Sequence, residues 1–267
     1  MVDSSNPALT PKEFPEIVYL MWQSFLSSWP ASVAAILLLV AVQTTLWWIS
    51  RVPAFLNKTQ RLGLPIGQHI SFMAKDGDGK DVYRSYTPIS DNSLLGRVDF
   101  LIKLYPQGKM SQVIAALQEG QTMMMKGPKG QLSYKPNMKK KIGMLAGGSG
   151  ITPMYQVMNA ILKNPKDTTE VSLVFGNVTE EDILLRMELD SLAEKHPNRL
   201  KVHYILDKPP ESWTGGSGYI TQAVVEQHLP PPSPQTLILR CGPTPMMEAM
   251  KKVLTSSGYS EDQQFQF

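Results

Sequence analysis

The sequence predicts a two-domain protein, α+β and then α/β: a small antiparallel β-barrel followed by a doubly wound parallel sheet, with a transmembrane helix ahead of both. Residues 62–134 read as short alternating strands with one helical stretch, which is typical of a small barrel. In residues 135–267, apolar strands alternate with helical stretches, which is typical of a parallel sheet covered by helices. Residues 31–50 carry no charged side chain. A length of 267 residues suits two domains of roughly 100–150 residues each.

Composition excludes several classes of protein. A hydrophobic content of 42% and a charged content of 18% are those of a globular chain, not of a disordered one. A net charge of +3 is too weak to indicate a nucleic-acid partner. The single cysteine cannot form an internal disulfide, which favours a reducing compartment. The four histidines lack metal-ligand spacing, so we predict no metal site.

The first 61 residues divide into a polar-to-mixed segment (1–30), a predicted transmembrane anchor (31–50) and a linker (51–61). At ~1.5 Å per residue, a helix over residues 31–49 spans about 28 Å, close to the ~30 Å hydrocarbon core of a bilayer. Tryptophans lie near both ends, and basic residues follow the helix, whereas acids dominate its other flank. The positive-inside bias therefore places the C-terminal body in the cytosol. Neither a signal peptide nor a mitochondrial presequence fits this composition, and a buried core helix is the remaining alternative.

The stretch Arg84-Ser-Tyr-Thr-Pro88 combines three groups suited to a nucleotide with a flat ring. Arg84 offers a planar fork of donors for phosphate. Tyr86 offers an aromatic face, and Thr87 offers a hydroxyl where Pro88 ends the strand pairing. This set predicts a flavin nucleotide site. An ordinary edge strand with a surface arginine is the alternative.

Two helix starts preceded by glycine predict phosphate sites. Gly108 precedes a helical stretch that opens with Lys109 and has Ser111 in its first turn, and free amides at a helix start attract phosphate. Residues 147–150 are Gly-Gly-Ser-Gly between an apolar strand and another helix, so the backbone can approach a pyrophosphate closely. Pro153 stands where the last glycine of a G-x-G-x-x-G fingerprint would be. For the first helix, a plain amphipathic helix is the alternative.

Four further residues have a functional and an ordinary interpretation. Asp207 ends a strand, where an acid can bind a ribose 2′-hydroxyl and repel a 2′-phosphate, or it can simply form a turn before the following prolines. Cys241 by itself is a small core residue. His69 and Lys103 by themselves are an ordinary strand histidine and a solvated strand lysine.

The motif RSYTPIS, together with GKMS, GGSGITPM, CGPTPM and the C-terminal FQF, resembles the NADH–cytochrome b5 reductase family of ferredoxin–NADP reductase-like flavoproteins, and its plant-type members most closely. The resemblance runs from about Leu62 to Phe267. It implies an FAD-binding barrel domain at 62–134 and an NADH-binding domain at 135–267. Thr244 departs from the family pattern, in which a proline occupies that place in CGPPPM.

The resemblance also implies an activity and a partner. We expect a membrane-anchored flavoprotein that transfers a hydride from NADH to FAD and then single electrons to cytochrome b5 or a similar haem protein. The same module serving another acceptor is an alternative. We expect the endoplasmic reticulum rather than the mitochondrial outer membrane. A basic run, Lys135 with residues 139–141, either steers an acidic partner to the flavin edge or forms a solvated loop.

The resemblance assigns roles to single residues. His69 and Thr87 are the expected proton relay to the flavin, because a histidine titrates near neutral pH. Lys103 and Cys241 are expected beside the nicotinamide, with the thiol orienting rather than attacking. The predicted cofactor-binding residues are Arg84, Tyr86, Thr87, Pro88, Ile102, Lys103, Tyr105, Gly108, Lys109, Met110, Ser111, Gly147, Gly148, Gly150, Thr152, Pro153, Asp207, Cys241, Gly242, Pro243, Met246 and Phe267.

One departure from the family concerns the barrel. Family members place a few dozen residues, including the opening strands, before the L-G-L-P-x-G-Q-H stretch. Here only residues 51–61 intervene, and they show no strand alternation. A barrel without its first strands has unpaired edges. The second hypothesis is therefore a catalytically impaired, shortened form that does not retain FAD.

Overall fold

The computed structural model describes residues 48–55 and 58–267. Within this part, the chain divides into two compact units. One unit contains residues 48–52, Phe72–Arg84 and Leu101–Met125. The other unit contains Pro53–Ser71, Ser85–Phe100 and Lys126–Phe267.

Among the residues that the structure describes, the N-terminal half contains five strands and one helix. They are β1 (Trp48–Phe55), β2 (His69–Lys75), β3 (Asp81–Tyr86), β4 (Arg97–Leu104), α1 (Lys109–Ala116) and β5 (Met124–Lys129). Strand β1 pairs with β4 in a two-stranded sheet, and the other sheet has the order β3-β2-β5. The strands thus belong to two sheets, and the closed antiparallel barrel stays a prediction.

Strand β1 corrects the predicted linker and the end of the predicted anchor. Residues 51–55 continue an extended strand, and residues 48–50 are strand rather than the last turn of a helix. The reason is long-range pairing with β4, which local alternation does not show, and a proline is tolerated in an edge strand. The segment 1–30 and residues 31–47 of the anchor lie outside the described residues. Among the residues that are described, no helix is long and apolar enough to cross a membrane.

The turn between β2 and β3 is a hairpin rich in glycine and aspartate. The Asp76 N–H donates to the Lys80 carbonyl oxygen at 2.9 Å, and the Gly79 N–H donates to the Asp76 carbonyl oxygen at 2.9 Å. The Asp76 carboxylate also accepts from the Asp78 and Lys80 amides at 3.0 and 2.9 Å. These bonds fix the carboxylate at the end of the hairpin.

The C-terminal half confirms the predicted parallel sheet. Its strands are β6 (Lys141–Gly147), β7 (Glu170–Asn177), β8 (Leu200–Leu206), β9 (Gly216–Ser217), β10 (Thr236–Cys241) and β11 (Gln264–Gln266). Its helices are α2 (Ile151–Lys163), α3 (Arg186–Lys195), α4 (Gln222–His228) and α5 (Thr244–Ser256). The strand order is β11-β10-β6-β7-β8-β9, and every neighbouring pair is parallel.

Helices cover both faces of this sheet. Leu145, Val174 and Ile238 of three adjacent strands pack with Val225 of α4 and Met250 of α5 in one buried cluster. Because side chains alternate along a strand, the intervening residues point to the opposite face, where α2 contacts β6 and β10. Burial on both faces explains why β6 reads as a nearly continuous apolar run.

The chain order reverses at the centre of the sheet, between β6 and β10. From β6 the chain proceeds to β7 on one side, whereas β10 pairs with β6 on the other side. In doubly wound sheets, ligands bind outside the carboxyl ends of the strands at such a reversal. The topology therefore indicates the loops that follow Gly147 and Cys241 as a ligand site.

Candidate functional site

The loops after β6 and β10 pack against each other through backbone atoms. A Cβ atom at Gly150 would overlap the carbonyl oxygen of Cys241, and one at Gly147 would lie 2.5 Å from Sδ of Met246 and 3.0 Å from Cδ of Pro243. Gly148 has φ +51° and no atom within 4 Å of its Cβ position. The loops thus form a cradle with bare backbone on its open side, as a dinucleotide pyrophosphate requires.

Helix α2 begins directly behind this cradle. Its first three residues are buried, and the Thr152 hydroxyl donates to the Ser149 carbonyl oxygen at 3.2 Å. The described structure places no side-chain cap and no acidic residue in the first turn of α2. The Ile151 N–H already donates to the carbonyl oxygens of Gly148 and Ser149 in the short 3-10 turn Gly148–Gly150, so an anion would meet that turn and the positive end of the helix dipole. Pro153 suits this turn because it lacks an amide proton.

Cys241 ends β10 at the edge of the cradle. Burial raises the pKa of its thiol to about 11, so the sulfur is protonated at neutral pH. A thiolate nucleophile is thereby excluded at that pH, and the predicted orienting role fits. The next residues, Gly242 and Pro243, lead into α5, which begins at Thr244.

Sequence reasoning missed Arg240, the residue before Cys241. Its side chain is buried, and one guanidinium nitrogen donates to the Met247 carbonyl oxygen in α5 at 2.7 Å. The Phe267 N–H donates to the Arg240 carbonyl oxygen at 3.1 Å, and the rings of Phe265 and Phe267 meet edge to face at 5.1 Å. Arg240 and the C-terminal residue therefore fix the end of β10 from two directions. In the sequence, the one signal for this residue is that a single arginine stands in an otherwise apolar strand.

Sequence reasoning also missed Asn177, which ends β7 next to the first glycine of the cradle. Both polar atoms of its side chain are buried and have no hydrogen-bond partner among the described residues. Gly176 pairs with Gly147, so this amide lies one residue beyond the cradle edge. Buried polar groups are nearly always satisfied, so an orphaned amide here fits a polar ligand. The Asp207 N–H donates to the Asn177 carbonyl oxygen at 3.0 Å, which places Asp207 at the same edge.

The predicted flavin segment ends β3 and continues into Pro88. Arg84 is exposed, and its guanidinium donates to the Tyr83 carbonyl oxygen at 2.8 Å. Thr87 is buried with 8% of its surface exposed, and Tyr86 is half-buried. Pro88 forms an antiparallel bridge with Phe100. The guanidinium is thus at the surface, where a phosphate can reach it, and the threonine is held inside.

Helix α1 presents the predicted phosphate-binding start. The Gly108 N–H donates to the Tyr105 carbonyl oxygen at 2.9 Å, and a Cβ atom at Gly108 would lie 2.7 Å from Oγ of Ser111. Ser111 and Met110 are buried. Lys109 forms an ion pair with Asp76 of the hairpin, which holds the pKa of that carboxyl below its usual range. The positive charge of Lys109, which was expected to attract a phosphate, is therefore shared with the Asp76 carboxylate. The sequence did not show this ion pair.

The remaining predicted residues lie in or near β2 and β4. Ile102 and Lys103 are buried, whereas Tyr105 is exposed. His69 is half-buried; burial and then the charge of Lys129 lower the pKa of its imidazole, so it is neutral at neutral pH. The His69–Thr87 relay and the contact of Lys103 with the nicotinamide stay predictions.

The basic run does not lie at the cradle. Lys141 begins β6, and β6 has seven residues, so Lys141 is about 20 Å from the cradle at ~3.3 Å per residue. Lys139 donates to the Pro234 carbonyl oxygen at 2.7 Å, and Lys141 lies 3.7 Å from Glu170. These contacts place Lys139 and Lys141 at the amino edge of the sheet, and the steering of an acidic partner to the flavin edge stays a prediction.

Comparison with known proteins accounts for both halves of the chain. The family described as oxidoreductase FAD-binding domain matches residues 51–134, and the family described as oxidoreductase NAD-binding domain matches residues 144–252. The flavin match therefore includes the part of β1 that was predicted to be linker.

Two relatives show which family the chain belongs to. NADH-cytochrome b5 reductase 1 of Dictyostelium discoideum is 55% identical over 211 residues, which cover 79% of this chain and 73% of the relative. The Arabidopsis thaliana protein of that name is 50% identical over 211 residues, covering 79% of this chain and 75% of the relative. The chain belongs to the NADH–cytochrome b5 reductase family.

A solved structure of a cytochrome b5 reductase domain agrees with this fold. The cytochrome b5 reductase domain of Ulva prolifera nitrate reductase matches with a TM-score of 0.78 and 38% identity, covering 82% of this chain and 91% of that domain. The predicted two-domain FAD/NAD reductase fold, the reductase activity and the cofactors FAD and NADH are thereby confirmed. The individual site residues stay predictions, and the cradle and the α1 start fit the two cofactors.

Asp207 provides a direct test of coenzyme choice in this NADH–cytochrome b5 reductase. Replacing Asp207 by threonine removes the charge that would repel a 2′-phosphate at the carboxyl end of β8, so we expect kcat/KM for NADPH to rise roughly tenfold relative to NADH. Steady-state rates with both coenzymes measure the ratio. Glu211→Thr removes an equal charge from the same exposed loop and should leave the ratio unchanged. Equal ratios in all three proteins would remove Asp207 from the specificity site.

Proposed function

We propose that this chain transfers a hydride from NADH to FAD and then single electrons to cytochrome b5, while anchored to the endoplasmic reticulum membrane. The anchor is the part of the uncharged stretch predicted at residues 31–50 that precedes strand β1, which begins at Trp48. The catalytic body is cytosolic, as the charges around the stretch predict. We also propose that the flavin half closes into an antiparallel barrel.

The observation that carries this proposal is the cradle where the sheet order reverses. Gly147 and Gly150 allow the two loops to meet through backbone atoms, and the α2 start lies directly behind them. The cradle would hold the pyrophosphate of NADH, and Asn177 and Asp207 at its edge would bind further polar groups of the nucleotide. Arg84 and the start of α1 at Lys109 would hold the FAD phosphates.

When bound, FAD supplies the redox chemistry, because it accepts a hydride and releases electrons one at a time. The side chains of this chain supply orientation and proton control. The Cys241 thiol is uncharged and therefore packs beside a nicotinamide without reacting with it. The neutral His69 imidazole has one ring nitrogen that can accept a proton and one that can donate a proton.

Strand β1 favours flavin retention over the impaired, shortened form. The flavin-family match begins at residue 51, inside β1, and β1 pairs with β4, the strand that carries Ile102 and Lys103. Residues 48–55 therefore form one strand ahead of the L-G-L-P-x-G-Q-H stretch, where the sequence alone indicated none.

The proposal is tested with the full chain purified in detergent. We expect flavin absorbance at close to one equivalent per chain, bleaching by NADH without oxygen, and return of the colour when cytochrome b5 is added. Flotation of the protein with liposomes, and its loss in a variant lacking residues 1–47, tests the anchor. Colourless protein would support the shortened form. A coloured protein whose reduced flavin is not reoxidised by cytochrome b5 would support another acceptor.

A further inference from the structure

Helix α2 holds the chain before β2 through one side chain, Gln156. Its Oε1 accepts from the Gly67 N–H at 2.8 Å, and its Nε2 donates to the Gln68 carbonyl oxygen at 3.2 Å. All three residues belong to the same compact unit, and Gln156 is half-buried. The carboxamide thus bridges the backbone of two successive residues, using one donor and one acceptor.

The backbone that Gln156 binds is a tight turn. The Gln68 N–H donates to the Pro65 carbonyl oxygen at 3.1 Å, and Gly67 at the third position has φ +89°. A positive φ at this position is what a type II turn requires. A Cβ atom at Gly67 would lie 2.8 Å from Leu132, so the turn is also held from its other side. The turn ends at Gln68, and the residue after Gln68 is His69, the first residue of β2.

Gln156 therefore links two parts of the proposed site. It lies in the second turn of the helix that opens at the nucleotide cradle, and it binds the residue immediately before His69. We propose that Gln156 is a positioning residue, which fixes the place of the His69 imidazole relative to α2. The role of His69 itself rests on the proposed function.

A second contact at the far end of α2 supplies a control. The Lys163 ammonium forms an ion pair with Asp91 at 2.8 Å, and this pair lowers the pKa of the Asp91 carboxyl. Both side chains of this pair are substantially exposed, at 58% and 38% of their surface, so the pair contributes little. Lys163→Met removes a link between α2 and another segment without touching the turn before His69.

The test compares Gln156→Leu with Gln156→Glu. The leucine removes both hydrogen bonds, and we expect kcat with NADH and ferricyanide to fall roughly 10- to 100-fold, as for a misplaced reacting group, with KM little changed. An ionised glutamate places a negative oxygen against the Gln68 carbonyl oxygen and should act like leucine at pH 8. When protonated, the carboxylic acid donates to that oxygen and accepts from Gly67, as the amide does.

The glutamate variant should therefore recover as pH falls. An ordinary glutamate has a pKa of about 4.3, and both partial burial and a facing carbonyl oxygen raise it, so recovery relative to wild type should begin near pH 6. Gln156→Leu should show no recovery, and Lys163→Met should match wild type throughout. Equal activity of all variants, or parallel pH profiles for leucine and glutamate, would overturn the proposal.

A readout that does not depend on turnover separates this proposal from the proposed function. Proton NMR titration of the four histidines follows the His69 ring directly. Because burial holds the pKa of His69 down, loosening its strand in Gln156→Leu should raise that pKa, whereas Lys163→Met should not. An inactive wild-type enzyme with this shift would refute only the proposed function. An active enzyme with an unshifted His69 in Gln156→Leu would refute only the positioning role.

Discussion

Gly150→Ala should abolish reduction by NADH and destabilise the nucleotide half of the chain. The added methyl group would overlap the main-chain carbonyl of Cys241, and neither partner is a flexible side chain that could move aside. The two loops of the cradle must separate, which we expect to cost roughly 3 kcal/mol, as for other overpacked sites. Because these loops form the proposed pyrophosphate site, NADH-dependent turnover should fall at least about 100-fold. Thermal unfolding and steady-state kinetics measure the two effects.

Gly148→Ala is the matched control in the same loop. Gly148 has φ +51°, so alanine is strained by about 1 kcal/mol, but nothing lies within 4 Å of the new methyl group. We expect a small loss of stability and a much smaller loss of activity than for Gly150→Ala. Similar effects of the two substitutions would show that loop strain, not the contact with Cys241, governs the cradle.

Arg84→Ala should release FAD while leaving the protein folded. Arg84 is exposed. Its guanidinium donates one hydrogen bond in the part of the chain that the structure describes, to the carbonyl oxygen of its neighbour Tyr83. Its removal should therefore change the stability of the flavin-free protein very little. A lost charge-assisted phosphate contact is worth roughly 1.5–3 kcal/mol, which corresponds to a rise of about 10- to 150-fold in the Kd for FAD. Fluorescence titration of flavin-free protein with FAD measures this Kd.

Arg97→Ala provides the comparison for Arg84→Ala. Arg97 is also an exposed strand arginine, but it pairs with Asp99, two residues away in β4. Its loss should leave the Kd for FAD unchanged. If both variants weaken FAD equally, general surface charge would explain the effect, and Arg84 would lose its assigned contact.

The parts of the fold that sequence predicted well are those with local signals. The glycines and aspartates around Asp76 predict the hairpin, and the apolar run at β6 followed by Gly147 predicts a strand leading into a nucleotide loop. Both signals arise from residues adjacent in the chain. The parallel sheet could therefore be predicted before its strand order was known.

The parts that sequence missed depend on residues distant in the chain. Strand β1 contains Pro53 and shows no alternation, and it is ordered by pairing with β4. The partner of Lys109 is Asp76, 33 residues earlier, and the partners of Gln156 lie 88 and 89 residues earlier. No local period or motif marks such pairs, because each residue alone is ordinary for its element. The orphaned amide of Asn177 is likewise visible only once burial is known.

The main-chain contact between the cradle loops has a thermodynamic consequence. Gly150 abuts the main chain of Cys241, and Gly147 abuts the side chain of Met246, so packing within the protein itself sets the spacing of the two loops. A receptor shaped in advance loses little conformational freedom on association, so more of the interaction energy is expressed as affinity. Calorimetry of coenzyme binding should accordingly find a small entropic penalty from this region.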